Sequence, residues 1–594
     1  MRYILGTLCF AILIAFFYSH SSRNSFTVVD IPKDNFNQLK TNADTIEGKF
    51  LFGYQGWFST PNSEYFKNWK HWSSDKDINS PPTPSNSSFD FYPDTSEYLN
   101  KYEIPLSDNS LLTSSSGNNI HLYSASDLST IDLHFKWMKE YSLDGVFHMR
   151  FVSAISDRNS EIYLFKDKVL NNIRISAEKY DRVFALRYNI TDPSNPKSIY
   201  GNVQNEYDAV IGDWKRLVDM GLVDSSAYLH QSGLPVVSIY GIGFRKDMTT
   251  ASLEAQKKIL RFFKNAKDKK YRAFVVAGVP SMWRSAADKN QFDSRKSDAA
   301  INSKLEAYSS LYSQHYIDAI HPWHVGRYKQ YRFKNYYEQV ILKDIEIAKD
   351  NGIMYIPTVW PGFSWAHLTD NCENRNQIPR SGGQFYWEQL SFLLENKDIQ
   401  TIFSANFDEV DEGTAIFKQI ATEIDLPRGS SLSCSKNNIA YIPFNEDGFE
   451  IQNDFYLNLA SIATSILKLD YLRSDIAHSV PNLPVVETVS FSKDNQTSKL
   501  TIFSGEENFS LYLSGHRLFK QRPIYKINPG GYRITIFNSM INAVVYATVV
   551  SGDSDDLQLS VDLPELPDGK YKVVVKTYDT VSKPLVLEVN SSND

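Results

Sequence analysis

Short apolar runs recur along the first two-thirds of the chain, each rich in Val, Ile, Phe or Tyr and each followed by Gly, Pro, Asp or Trp. They fall at 51–57, 146–151, 183–190, 236–244, 271–280, 319–325, 354–360 and 401–407. Most are apolar throughout, as parallel strands covered on both faces are. Helical patterns lie between them. Over 164–180 the period places Leu164, Val169, Leu170, Ile173 and Ala177 on one face, and over 207–222 it does so with Val210, Ile211, Trp214, Leu217 and Val218. Further helices are expected at 252–265, 301–314, 336–351, 384–396 and 413–423. Eight strands alternating with helices predict an α/β fold of the (β/α)8 TIM-barrel type. A doubly wound open sheet is the alternative, but no Gly-rich phosphate loop follows the first strand.

The alternation stops after Asp425. One more amphipathic helix is expected over 454–469, then a Pro-rich linker at 481–484. Beyond it the period changes to two, in short runs punctuated by Gly, Pro and Asp, which predicts an all-β sandwich. The expected organisation is therefore a barrel over 47–425, a barrel-associated extension over 426–478 and a β-sandwich accessory domain over 485–594. Within the first βα unit, 73–127 is dominated by Ser, Asn, Pro and Asp; a loop that long in a compact domain is functional or disordered.

At the N-terminus a single Arg precedes an apolar stretch over 4–18, which fits a signal peptide ending near 21, with an uncleaved signal anchor as the rival. Either implies a secreted or extracytoplasmic location, with the membrane touched only through that segment. Five Asn-x-Ser/Thr triplets, at Asn86, Asn189, Asn495, Asn508 and Asn590, agree with secretion. Outside the leader only Cys372 and Cys434 remain, and in an oxidising compartment they are expected to pair. The 594 residues carry a net charge of −7 and no basic stripe, which disfavours nucleic acid as a partner. Aromatic residues make up 14% of the chain, a composition that suits sugar-stacking clefts as well as aromatic cores.

Asp408-Glu409-Val410-Asp411-Glu412-Gly413 follows the eighth expected strand and packs four carboxylates into five positions. Residues just past the C-terminal end of a barrel strand line the active-site face. Crowded carboxyls raise one another's pKa, as a general acid near neutral pH requires, and glycoside hydrolysis uses two. Two other readings stay open at this point: an acidic cap on a helix beginning near Gly413, and a carboxylate metal site using Asp408 and Asp411. Aromatic and polar residues gather at the other strand ends: Tyr54, Gln55 and Trp57, with His71 in the loop beyond; Tyr188; Tyr240; Trp323; Trp360 and Trp365. Their recurrence at one end of several strands suggests a carbohydrate cleft.

Gly53-Tyr54-Gln55-Gly56-Trp57-Phe58, Trp360-Pro361-Gly362-Phe363-Ser364-Trp365, Ile378-Pro379-Arg380-Ser381-Gly382-Gly383 and the acidic cluster together resemble the glycoside hydrolase family 71/99-like barrel proteins. The resemblance spans about residues 47–425 and implies a retaining glycosidase acting on an α-linked glycan, without a cofactor. It assigns Glu409 as the base that takes the proton of the sugar 2-hydroxyl, Glu412 as the general acid/base, and Tyr54 to sugar contact. Val410-Asp411 stands where the characterised mannosidases carry Trp-His, so an α-mannan or mannoside and an α-glucan both stay open as substrate. The expected partner is an oligosaccharide or polysaccharide bound by a monomer. A catalytically silent carbohydrate-binding barrel with an adhesive sandwich is the non-enzyme alternative.

Overall fold

The computed structural model describes residues 41–191, 203–244, 250–281, 283–284, 310–428, 439–449 and 451–468, positions 473 and 476, and eight strands between 488 and 589. The leader, the linker at 481–484, Cys434 and the sequons at Asn495, Asn508 and Asn590 lie outside these residues, as does most of the helix expected over 301–314.

All eight expected strands form, most of them somewhat shorter than their apolar runs: Lys49–Tyr54, Gly145–Phe151, Val183–Asn189, Leu234–Tyr240, Phe274–Pro280, Ala319–Trp323, a seventh in two pieces (Met354–Tyr355 and Thr358–Val359), and Thr401–Ser404. Each pairs in parallel with the next, and the first pairs with the eighth. The seventh reaches the sixth through its first piece and the eighth through its second. This curled parallel sheet with helices between its strands is consistent with the (β/α)8 expectation. Parallel strands need crossovers, and the helices Glu161–Tyr180, Val203–Asp219, Thr250–Asn265 and Gln384–Glu395 supply them where the apolar periodicity predicts.

Three readings are corrected. No helix forms over 413–423: the amide of Ile416 returns to the carbonyls of Asn406 and Phe407, both at 3.2 Å, so the chain doubles back beside the strand instead of coiling. The helix packed against the first strand is instead Phe455–Lys468, which the sequence placed in the extension. The helix Leu128–Glu140, between the first two strands, had no counterpart in the reading; it buries Ile131, His134, Phe135, Trp137 and Met138. In Glu161–Tyr180 the expected inward Leu164 is 44% exposed, and Lys166 faces inward in its place.

The long loop over 73–127 is ordered and packed. Asp90, fully buried in it, accepts from the amides of Ala366 (2.8 Å) and His367 (2.9 Å) and pairs with the His367 ring at 2.6 Å, fastening this loop to the one after the seventh strand. Asn86 donates from its side-chain amide to the carbonyls of Asp77, Ser80 and Pro81, at 3.0, 3.1 and 3.2 Å, and Asn189 is buried. Cys372 is disulfide-bonded, and its expected partner Cys434 lies outside the described residues. Beyond 488 the expected β-runs form antiparallel ladders, in two three-stranded sheets and one pair. Among the described residues no helix is long and apolar enough to cross a membrane.

Between sheet and helices lies one buried ionic knot. Arg150 of the second strand donates to Asp213 at 2.8 and 2.9 Å and to Asp167 at 3.0 Å, while Tyr188 of the third strand donates to Asp213 at 3.0 Å. Removing one member strands an unpaired charge away from water. Asp213→Ala is expected to cost about 3–5 kcal/mol in denaturant unfolding, far above the effect of a surface carboxylate.

Candidate active site

The acidic segment is held as a tight turn by its own backbone and by the first strand. Phe407 donates its amide to the Gly53 carbonyl at 2.8 Å; Gly413 and Thr414 donate back to Val410 and Glu409, each at 3.1 Å. A Cβ on Gly53 would stand 1.9 Å from Asn406 Oδ1, and one on Gly413, at φ +64°, would stand 2.9 Å from the Ser364 carbonyl oxygen. Gly413 therefore requires glycine, and a side chain at Gly53 would have to displace Asn406. Arg380 reaches in and donates to the carbonyls of Gly413 and Ala415, each at 2.9 Å, its guanidinium lying 4.3 Å from the Phe91 ring and 4.7 Å from that of Tyr456. The turn is fixed from outside by a cation that no ligand needs to touch.

Each carboxyl then has a distinct setting. Asp408 accepts from the amides of Gln55 and Gly56, both at 2.8 Å, one on each oxygen, which ties the eighth strand end to the first. Burial lifts its pKa to about 6 against those donors and Lys166. Glu409 is 3% exposed with its Oε1 unpartnered; burial, then Asp411, Glu412 and Asp408, push its pKa well up. Asp411 bonds the His71 ring at 3.0 Å, and burial and Glu412 push it up as well. Glu412 is part-exposed, and burial raises it to about 7. Of the four, only Glu412 combines access to solvent with a proton that comes and goes near neutral pH.

The surrounding wall is aromatic. Trp57 lies between His71 (centroids 4.1 Å apart, 7° between planes) and Phe151 (5.7 Å). Lys166 sits 5.9 Å from the Trp57 ring and donates to the Gln55 carbonyl at 2.7 Å; burial lowers its pKa to about 7. His71 is pushed down by burial, Lys70 and Lys166, and its ring bonds Asp411. Tyr240 and Trp323, both part-exposed, meet edge to face at 5.4 Å, and Glu412 acts electrostatically on Tyr240. Trp365, part-exposed, follows Ser364, whose amide donates to the Glu412 carbonyl at 3.0 Å.

The structure thus gathers Gln55, Trp57, His71, Asp408, Glu409, Asp411 and Glu412 at the first and eighth strand ends, with Tyr240, Trp323 and Trp365 on the same barrel face. Three expected residues are elsewhere. Tyr54 is sealed at 1% exposure, its hydroxyl 2.7 Å from the ring of His134 on the outer helix. Tyr188 points outward into the Asp213 knot, and Trp360 packs on Tyr328 (4.6 Å) and Phe385 (5.4 Å) behind the sheet. Strand alternation decides the first two, since neighbours along a strand face opposite sides and Tyr54 and Tyr188 fall on the helix side; Trp360 lies just past the seventh strand. The acidic-cap reading ends with the missing helix at Gly413. For the metal reading, Asp408 spends both oxygens on backbone amides, and among the described residues no three His, Cys, Asp or Glu side chains group as ligands. Lys166 escaped the sequence reading, since a lysine in an amphipathic helix ordinarily faces water.

The raised carboxyls set a pH signature. A carboxyl with a higher pKa folded than unfolded binds its proton more tightly in the native state, so its stabilising contribution is present at low pH and fades as pH climbs from the unfolded value near 4.5 through about 7 for Glu412. Wild type minus Glu412→Gln stability should therefore decline across that window, read from paired urea titrations; a flat difference would mean that Glu412 is not raised.

No family model matches the chain, and no curated protein does. Among solved structures it is similar to the GH99 endo-alpha-mannosidase from Bacteroides thetaiotaomicron, at 15% identity over 73% of this chain and 100% of that one, with a TM-score of 0.46. The same mannosidase with bis-tris-propane gives 14%, 72%, 99% and 0.45. A GH5-4 broad specificity endoglucanase from Ruminococcus flavefaciens gives 9% identity over 48% of this chain and 80% of that one, with a TM-score of 0.30.

Proposed function

We propose that the chain is a glycoside hydrolase acting on an α-linked glycan, with Glu412 as general acid/base and Glu409 as the base that draws the proton from the sugar 2-hydroxyl. The observation that carries this reading is the asymmetric pair: one part-exposed carboxyl raised to about 7, and one sealed carboxyl three residues earlier with an oxygen left unpartnered. Protonating a departing glycosidic oxygen needs a group that holds its proton near the working pH and still delivers it. Partial burial does this for Glu412.

Glu409 has the complementary task. Its high proton affinity makes it a strong base once its own proton rests elsewhere in the cluster, and Glu412 and Asp411 are the neighbours able to hold it. The 2-hydroxyl oxygen then attacks the anomeric carbon from within the sugar as Glu412 protonates the leaving oxygen. Water then attacks the anomeric carbon of the strained intermediate, Glu412, now ionised, takes the proton of the water, and Glu409 returns its proton to O2 as the C1–O2 bond breaks. Two inversions give net retention. Trp57, Tyr240, Trp323 and Trp365 supply ring faces for the sugar. In this reading the strands beyond 488 build an accessory sandwich, and the leader sends the protein out of the cytoplasm.

The test is a pair of amide variants assayed on two substrate types. Glu412→Gln is expected to lower cleavage of natural glycans by at least about 10²-fold and to spare substrates whose leaving group needs no proton. Glu409→Gln should disable both. In wild type the rate should fall above about pH 7, as Glu412 loses its proton. Near wild-type turnover of a natural glycan by either variant would refute the two-glutamate mechanism.

A further inference from the structure

Three polar side chains on the inward face of the sheet take no part in that chemistry. Arg187, on the third strand, is fully buried, and its Nε, Nη1 and Nη2 are all without a hydrogen-bond partner. Its guanidinium carbon lies 4.6 Å from the Tyr240 ring centroid, 4.8 Å from Phe403 and 5.7 Å from Trp323. Ser238 pairs in register with it on the fourth strand, buried, with a free Oγ. His321, on the sixth, spends Nε2 on Thr358 at 3.0 Å and leaves Nδ1 unpartnered. Among the described residues no carboxylate pairs with Arg187. Burial lowers the arginine only to about 10, so it stays a cation at neutral pH.

A buried guanidinium with idle donors is costly, and ring faces offset only part of that cost because they engage its flat sides. The in-plane N–H groups match the geometry of an oxyanion. Tyr240 and Trp323, which meet edge to face at 5.4 Å on the cleft side, are the rings that lie over this arginine. A sugar stacked on Tyr240 or Trp323 is therefore one aromatic ring away from Arg187.

We propose that the chamber formed by Arg187, Ser238 and His321 beneath Tyr240 and Trp323 receives an oxyanion carried by the glycan, a carboxylate, sulfate or phosphate, and so makes an acidic sugar the preferred occupant of the cleft. This rests on the reading of the cleft as a glycan site. Tyr240 and Trp323 are part-exposed and cover the guanidinium, so the charged group enters as one ring turns aside. It exchanges a cation–π face for charge-assisted hydrogen bonds.

The test is calorimetric titration of the full chain with methyl glucuronide, glucose 6-sulfate, glucose 6-phosphate and methyl glucoside, at matched ionic strength. At least one charged sugar is expected to bind 10-fold or more tighter than the neutral one, and its identity names the oxyanion. Arg187→Met should abolish that preference, Arg187→Lys should keep part of it, and the melting temperature of Arg187→Met should equal or exceed wild type, since a buried unpaired charge is gone. Equal binding of charged and neutral sugars by wild type would overturn the proposal, as would a preference that persists in Arg187→Met; the chamber would then hold water only. Because titration needs no turnover, the outcomes separate. A charged-sugar preference without hydrolysis of any glycan rejects the glycosidase reading alone. Hydrolysis of neutral glycans without that preference rejects the oxyanion chamber alone.

Discussion

Asp408 holds the candidate site together. Its two oxygens take the amides of Gln55 and Gly56, so the end of the eighth strand is tied to the end of the first where the curled sheet meets itself. A buried carboxylate satisfied by two backbone donors is a directional clamp, and every other group in the site is placed relative to it. Gln55 and Trp57 leave the first strand from one side of the clamp, and Glu409 to Glu412 leave the eighth from the other. Arg380 secures the far end of the acidic turn, and its motif of glycines and arginine after the seventh strand is explained by that contact.

The same clamp divides labour among four carboxyls that look alike in sequence. Asp408 is structural because both its oxygens are occupied. Asp411 is engaged with His71, and Ser88 lies 3.5 Å away. That leaves Glu409, sealed but with an idle oxygen, and Glu412, at the surface of the cleft. Burying several acids together raises all of them, and Lys166 is the cation whose charge favours the ionised forms of Asp408 and Glu409. An acid–base pair thus arises from position more than from composition.

The amino-acid sequence by itself determined the alternation of strands and helices, because short apolar runs and 3.6-period faces are local properties. All eight strands, and the acidic cluster past the eighth, are legible that way. Local pattern could not decide which strand-end aromatics face the cleft. Tyr54 and Tyr188 fall on the helix side through strand alternation counted from the true register, which only pairing with neighbouring strands sets. Trp360 was lost for a related reason, since the seventh strand is broken and its end turns against a helix.

The turn at Gly413 reads as a helix start because acids before a glycine and an apolar run fit a cap. It becomes a reversal because the amide of Ile416 finds the carbonyls of Asn406 and Phe407, just past the strand, a choice made by the tertiary ladder. Lys166 and Arg187 were hidden for the opposite cause. In sequence they are ordinary charged positions, and only the fold shows that one leans on the carboxylates and the other lies unpaired among three rings. Hydrophobic periodicity is written residue by residue, whereas the fate of a buried charge depends on partners far away in the chain, and those only the assembled barrel brings near.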